Sequence, residues 1–397
     1  MTEPGQKSAI AARNRNIPES STVAIADLAS RMRRDGLNVV DFSAGRAAEH
    51  SPEIVCEAAT NAMRAGRTHQ TEARGLPEYL SACAEKLERA NGLHLDPKSN
   101  VIATLGCKQG LTLSLFATID IGDEVIIEDP CFVSYAPSIE LCGGVPVVVQ
   151  TDPDDRFSWS EDRLEAAISD KTKAILFCSP HNPAGTVHTE DDLKAIANIA
   201  IKYDLTVIAD EIYEAVCWGG RTHQPIFSLP GMAARTIGLM GMTKTYSMGG
   251  WRIGYAYAAP QYIEAMAKVQ QHLMTCASSF GQLGAAKALQ PEVVESMAEL
   301  WRDWESRCAF VTSELNSHDK LDVRMPEGGF YAWVGIKGTG MASQEFCTRL
   351  LEEEQVAAVP GVTFGDSCDK YVRITCVRSW EEVREGVQRI KRFVDRT

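Results

Sequence analysis

Between about residues 98 and 258, short apolar runs rich in β-branched residues alternate with amphipathic stretches. That rhythm constrains the fold more than any other feature, because a strand reaches a parallel neighbour only through a crossover of roughly a dozen residues or more, usually a helix. The chain is therefore expected to be α/β with a mostly parallel sheet. The predicted strands are NVIATL (100–105), DEVIIED (123–129), VPVVVQ (145–150), KAILFCS (173–179), LTVIAD (205–210) and RTIGLMG (235–241). They are short and aliphatic, as strands covered on both faces must be. The clearest helix begins at Thr189, where Asp192 three residues on gives a capping-box start and Leu193, Ile196, Ala197 and Ala200 share one face.

After Pro260 the pattern changes to long helical stretches at 261–289 and 291–317, short strands near 321, 330 and 371, and a last helix from about 380. This reads as a smaller α+β unit. The first 45 residues lack the βαβ rhythm and are too few for a core of their own, so they are expected to pack with the carboxy-terminal part. The 397 residues are about two and a half times a typical ~150-residue domain. We expect a large domain over 49–290 and a small domain from 1–48 and 291–397.

Charge and cysteine usage exclude several functions. With 40 basic and 53 acidic residues the net charge is −13, and no Lys/Arg run offsets it, so nucleic acid and anionic lipid are not expected partners. The 12 cysteines, among them Cys56, Cys83, Cys131, Cys142 and Cys178, form no CxxC pair and no Cys/His cluster at metal spacing. They read as reduced core residues of a cytoplasmic protein with no metal site. The start MTEPGQKSAIAARNRN has no apolar signal core, and no run of about 18 apolar residues occurs, so neither export nor membrane anchoring is expected.

In an open parallel sheet, ligands bind beyond the carboxyl ends of the strands, so polar residues just after apolar runs mark the site. Four such places occur. Gly106, Cys107 and Lys108 follow NVIATL and open an apolar helix, an arrangement that offers backbone N–H groups to a phosphate. Asn182 sits in a turn fixed by Pro180, Pro183 and Gly185. Asp210 ends a run apolar enough to be buried, and so needs a cationic or N–H partner. Thr243, Lys244 and Arg252 follow RTIGLMG, and a buried lysine of lowered pKa is a Schiff-base nucleophile. Phosphate cradle, amide, carboxylate and amine on one sheet edge match the needs of pyridoxal 5′-phosphate (PLP).

The segments SPHNPAG (179–185), ADEIY (209–213) and TKTYSMGGWRIGYA (243–256), in this order and spacing, strongly resemble the class I/II aminotransferases, PLP enzymes of fold type I. Within them the chain is most similar to the prokaryotic aspartate and prephenate aminotransferase subgroup. The likeness also covers SSTVAIADLASRMRRDGLNVVDFSAG, RGLPEYLSACAEKL, GCKQGL, DPCFVSYAP, PEGGFYAWV, VAAVPGVTFG and YVRI. It implies a mostly parallel seven-stranded sheet flanked by helices, a smaller α+β domain, and a homodimer with active sites at the subunit interface.

The resemblance also implies residue roles. Lys244 would join PLP through an aldimine and then shuttle the substrate's proton as general base and acid, with Asp210 on the pyridine nitrogen and Asn182 and Tyr213 on the phenolic oxygen. Phosphate would be held around Gly106 and Cys107, by Thr243 and by Arg252, and Phe132 would stack on the ring. Arg373, with the Gly45 backbone, would bind the substrate's α-carboxylate. Lys108 matches a lysine that contacts a distal carboxylate in aspartate-using relatives.

Two departures stand out. Gln70 replaces the tyrosine that in relatives reaches the partner subunit's phosphate, and SAGRAAEH replaces a GEPDF-like segment, placing Arg46, Glu49 and His50 near the carboxylate site. Either Arg46 or His50 could then contact a polar or anionic substrate group. The reaction implied is ping-pong transfer of an amino group between an L-amino acid and a 2-oxo acid. The alternative is elimination, replacement or cyclisation on the same PLP scaffold. A DNA-binding regulator is not expected, since the likeness begins within the first 20 or so residues, and neither is a nicotinamide enzyme, since no GxGxxG follows any strand.

Overall fold

A computed structural model describes residues 11 and 13–397, so residues 1–10 and 12 of the expected small domain lie outside the described part. The βαβ region forms one seven-stranded sheet. Its strands are β1 (Val101–Thr104), β2 (Glu124–Asp129), β3 (Val145–Gln150), β4 (Thr172–Cys178), β5 (Thr206–Asp210), β6 (Thr236–Gly241) and β7 (Gly254–Ala258), in the order β1-β7-β6-β5-β4-β2-β3. Pairings β2–β3, β2–β4, β4–β5 and β5–β6 are parallel, as the alternation predicts.

β7 was not among the predicted strands. It lies antiparallel to both β6 and β1, because the loop from β6 returns directly without a crossover helix. Its sequence GYAYA is also poor in branched residues. A Cβ at Gly254 would fall 2.7 Å from the Met240 carbonyl oxygen, so close strand approach demands a glycine here. Two antiparallel steps leave β1 running parallel to β6. The carboxyl ends of β1, β2, β4, β5 and β6 therefore share one edge.

The helix starting at Thr189 spans Glu190–Lys202, and the Thr189–Asp192 capping box forms reciprocally. The stretch expected as one helix over 261–289 is two, Pro260–Leu273 and Ser279–Ala288. Thr275 takes a left-handed φ of 69° and the Ser278 side chain caps the second helix, so the chain turns between them. These helices pack on helices of the large sheet, Pro260–Leu273 against Cys107–Thr118 and Ser279–Ala288 against Glu53–Arg64. The change of pattern at Pro260 thus precedes the change of packing partner.

Beyond Pro291 a four-stranded antiparallel sheet forms from Val359–Pro360, Tyr371–Thr375, Tyr331–Gly335 and Asp322–Val323. The amino-terminal segment pairs apart from this sheet, Val40–Asp41 forming a two-stranded parallel sheet with Val356–Ala357. Among the described residues no helix is long and apolar enough to cross a membrane.

Candidate active site

The shared strand edge and the small sheet enclose a cavity of about 370 Å³. Asp210, last in β5, is buried there, and Tyr135 donates its hydroxyl to Asp210 Oδ2 at 2.9 Å. Burial pushes the Asp210 carboxyl up to about 6, against the hydrogen bonds from Tyr135 and the Ile212 N–H. Among the described residues no Lys, Arg or His side chain forms an ion pair with it. A buried carboxylate in that state is short of a cation.

Lys244 is the third residue after β6. Ser247 (φ 54°) and Arg252 (φ 53°) in left-handed conformation help the loop turn back into β7. Lys244 Nζ reaches across the cavity to donate to the Gly45 carbonyl at 2.6 Å.

One end of the cavity is built for an anion. Cys107 starts the helix Cys107–Thr118, Gly106 precedes it with φ 77°, and a Cβ on Gly106 would lie 3.2 Å from Arg252 Nη2. Arg252 donates to the Leu105 and Gly249 carbonyls, and Thr243 lines the same wall. Burial raises the Cys107 thiol well above its ordinary value, so its backbone N–H rather than a thiolate serves this end. Lys108 stands over the Phe132 ring with Nζ 5.6 Å from the centroid. Its amine titrates below the usual lysine range through partial burial and the nearby Arg252 and Lys244.

At the opposite end lies Arg373, carried by Tyr371–Thr375 and 2% exposed. It donates to Asn182 Oδ1 at 2.9 Å and to the Ser43 carbonyl at 3.1 Å, which orients the Asn182 NH₂ as a free donor. The guanidinium lies 4.2 Å from the Tyr331 ring centroid and 4.8 Å from that of Phe364, with no carboxylate in ion-pairing reach among the described residues. Tyr213 lies between the two ends. Burial and the neighbouring Tyr331 hold its phenol well above the ordinary value, so it stays a proton donor.

The cavity thus gathers Gly45, Cys107, Lys108, Phe132 and Asn182 with Asp210, Tyr213, Thr243, Lys244, Arg252 and Arg373. Gly106 contributes backbone behind Arg252. The remaining candidates lie elsewhere. Gln70 is exposed in a separate surface hollow with Gly66, Arg67 and Ser279. Arg46 and His50 are exposed and outside the cavity wall, and Glu49 turns away to Arg307 at 2.7 Å and Trp304 Nε1 at 3.3 Å. Sequence reasoning also missed Tyr135, Tyr331 and the helix Ser21–Arg34, whose Thr22, Val23 and Ala26 close the cavity mouth. The only signal for the tyrosines was a polar atom inside an otherwise apolar run.

Residues 37–390 match the family model for aminotransferase class I and II. The chain is 38% identical over 369 residues to an aspartate aminotransferase of Pyrococcus abyssi, covering 93% of this chain and 94% of that one. It is 36% identical to aromatic-amino-acid aminotransferase 2 of Thermococcus litoralis over 90% of this chain and 92% of the other. The crystal structure of the Thermus thermophilus aspartate aminotransferase with maleate superposes with a TM-score of 0.92 at 33% identity, over 97% of this chain and all of that one.

Proposed function

The chain belongs to the aminotransferase class I and II family, whose members depend on PLP, and is itself an aminotransferase; from that premise we propose how its own residues do the work. The cavity fits the cofactor on three counts: a buried carboxylate lacking a cation, a cation-lined helix start lacking an anion, and a lysine between them. Asp210 would hold the ring nitrogen protonated, oriented by Tyr135. The N–H groups at Cys107 and Lys108, Thr243 and Arg252 would hold the phosphate. Asn182 and Tyr213 would donate to the phenolic oxygen, and Phe132 would cover the ring face. When bound, PLP supplies an electron sink for the charge that develops at the substrate's Cα.

Arg373 carries this reading. A buried guanidinium without a carboxylate partner is completed by the substrate's α-carboxylate, and that sets Cα within range of the Lys244 amine, which takes up and returns its proton. Lys108 at the cavity wall favours a substrate with a second carboxylate, consistent with the aspartate aminotransferases among its relatives. The relatives above are all aminotransferases, and no residue of the cavity favours elimination, replacement or cyclisation.

We extend the reading to the whole molecule. Residues 49–290 form the large domain that binds PLP, and 1–48 with 291–397 the small one. Two copies pair, which gives exposed Gln70 a neighbouring site to reach and covers the exposed Met63, Leu273 and Met274. Twelve unpaired cysteines suit the reducing cytoplasm.

Borohydride added to PLP-loaded protein should fix a pyridoxyl group on the Lys244 peptide, and Lys244→Ala should lose about 10⁴-fold in amino transfer. Label on a different lysine, or full activity in the variant, would remove the assignment. Stoichiometric formation of a new amino acid from a 2-oxo acid distinguishes transfer from ammonia release.

A further inference from the structure

Tyr331 opens the small-sheet strand Tyr331–Gly335 and is 2% exposed. Its hydroxyl lies 3.3 Å from the Tyr213 hydroxyl, and its ring carries the Arg373 guanidinium. A Cβ built on Gly45 would fall 1.9 Å from Tyr331 Oη and 3.1 Å from Lys244 Nζ. Phenol and amine therefore converge on space that a glycine alone leaves open. Packing accounts for the ring beneath Arg373 but not for a hydroxyl beside a lysine amine. Of the polar groups around Nζ, the Gly45 carbonyl can accept a hydrogen bond but cannot take a proton, whereas the phenol can do both.

We propose that Tyr331 is a further catalytic residue whose hydroxyl oxygen holds the free Lys244 amine and exchanges one proton with it. In the exchange an N–H bond of the Lys244 ammonium breaks and an O–H bond on the Tyr331 phenolate forms. The summed charge of the pair is unchanged, and Nζ is left with the lone pair that accepts the substrate's Cα proton. No proton has to leave for solvent.

The surroundings suit the phenolate. Burial raises the Tyr331 phenol, but the nearby Lys244 and Arg373 charges and the Tyr213 hydroxyl outweigh it, so the group titrates below an ordinary tyrosine. Tyr213 moves the other way, so Tyr331 is the phenol of the two that gives up its proton. The groups facing it are Lys244 from the β6–β7 loop, Tyr213 beyond β5 and Arg373 from the neighbouring strand.

The inference rests on Lys244 being the cofactor-linked lysine, which the borohydride experiment tests separately. The experiment here uses full-length protein loaded with pyridoxamine 5′-phosphate, in which the Lys244 amine is free. Trace acetylation with acetic anhydride across pH, read by mass spectrometry of the Lys244 peptide, gives the pH midpoint of the amine. The Tyr331 phenolate holds the Lys244 ammonium, so Tyr331→Phe should move that midpoint down by about one pH unit. The same variant should slow the half-reaction with amino acid by about 10²-fold with cofactor affinity unchanged. If Tyr331→Phe does not fold, wild-type protein made with 3-fluorotyrosine, a more acidic phenol that is phenolate over a wider pH range, should show a higher midpoint. Superimposable labelling curves in either comparison would overturn the proposal. When Lys244 is nonetheless the residue trapped by borohydride, that result leaves the reading of the site intact.

Discussion

Arg307 in the long helix Pro291–Leu315 and Arg373 in the cavity are both buried, at 6% and 2% exposure, yet their surroundings are opposite. Arg307 meets Glu49 at 2.7 Å and also pairs with Asp303. Arg373 has an amide, a carbonyl and two aromatic rings, but no carboxylate among the described residues. Asp210 and Glu211 repeat the contrast one residue apart. Glu211 faces the core, where His223 Nε2 stands 3.1 Å away and Tyr257 donates its hydroxyl, while Asp210 faces the cavity with a tyrosine and no cation. Leaving a buried charge uncompensated costs several kcal/mol, so a chain that pairs Arg307 with carboxylates of its own and leaves Arg373 and Asp210 open has left them for a ligand.

Crossed substitutions test that contrast most directly. Arg373→Ala should lower kcat/KM by about 10²- to 10³-fold, the cost of removing one partner of a desolvated charge pair, with little change in melting temperature. Arg307→Met should do the reverse. It leaves Glu49 and Asp303 unpaired but partly in water, so unfolding free energy should fall by about 1–3 kcal/mol while kcat/KM stays within about threefold. Urea unfolding and steady-state kinetics on both variants suffice, and equal effects of the two on activity would dissolve the distinction.

The same contrast explains what could be read from the sequence. Strand ends were legible because a polar residue after an aliphatic run is a local signal, and Asn182, Asp210 and Lys244 all carry it. Tyr135 and Tyr331 were not, because their meaning lies in contacts 75 and 118 residues away, to Asp210 and Tyr213. The segment around Arg46 misled for a related reason: proximity in sequence to Gly45 does not fix which way successive side chains point. In the fold, the alternation gave six strands of the large sheet, while β7 and the break at 274–278 depended on backbone approach and a left-handed Thr275, which hydropathy does not register.

Asp210 offers a pH-dependent form of the comparison. Its carboxyl titrates at about 6 in the cofactor-free protein against an ordinary value of 3.8, so the folded state binds a proton that the unfolded state has already lost. The stability this gives is complete below about pH 4 and is lost as pH rises through about 6. Asp210→Asn should therefore make the cofactor-free protein more stable than wild type by on the order of 2 kcal/mol at pH 7, with the difference vanishing near pH 4. PLP should reverse the order at pH 7, since only the carboxylate can pair with a protonated ring nitrogen. Denaturant titrations at the two pH values, with and without PLP, measure all of this. A variant no more stable than wild type at pH 7 without PLP would mean that Asp210 is satisfied within the protein.

The smallest effect belongs to Arg46. Its neighbour Gly45 takes part in the cavity through its carbonyl, but Arg46 is exposed and outside the wall, and its charge is screened by water. Exposed charges of this kind contribute about 1 kcal/mol or less to an interaction, so Arg46→Ala should change kcat/KM by less than about fivefold, and alike for aspartate and for a neutral amino acid. The comparison between substrates matters more than either value, because a general loss of folded enzyme lowers both. A selective drop of tenfold or more with aspartate would place Arg46 against the distal carboxylate after all, in the assembled dimer or on closure of the small domain. It would also make Lys108 one of two cations reading that group.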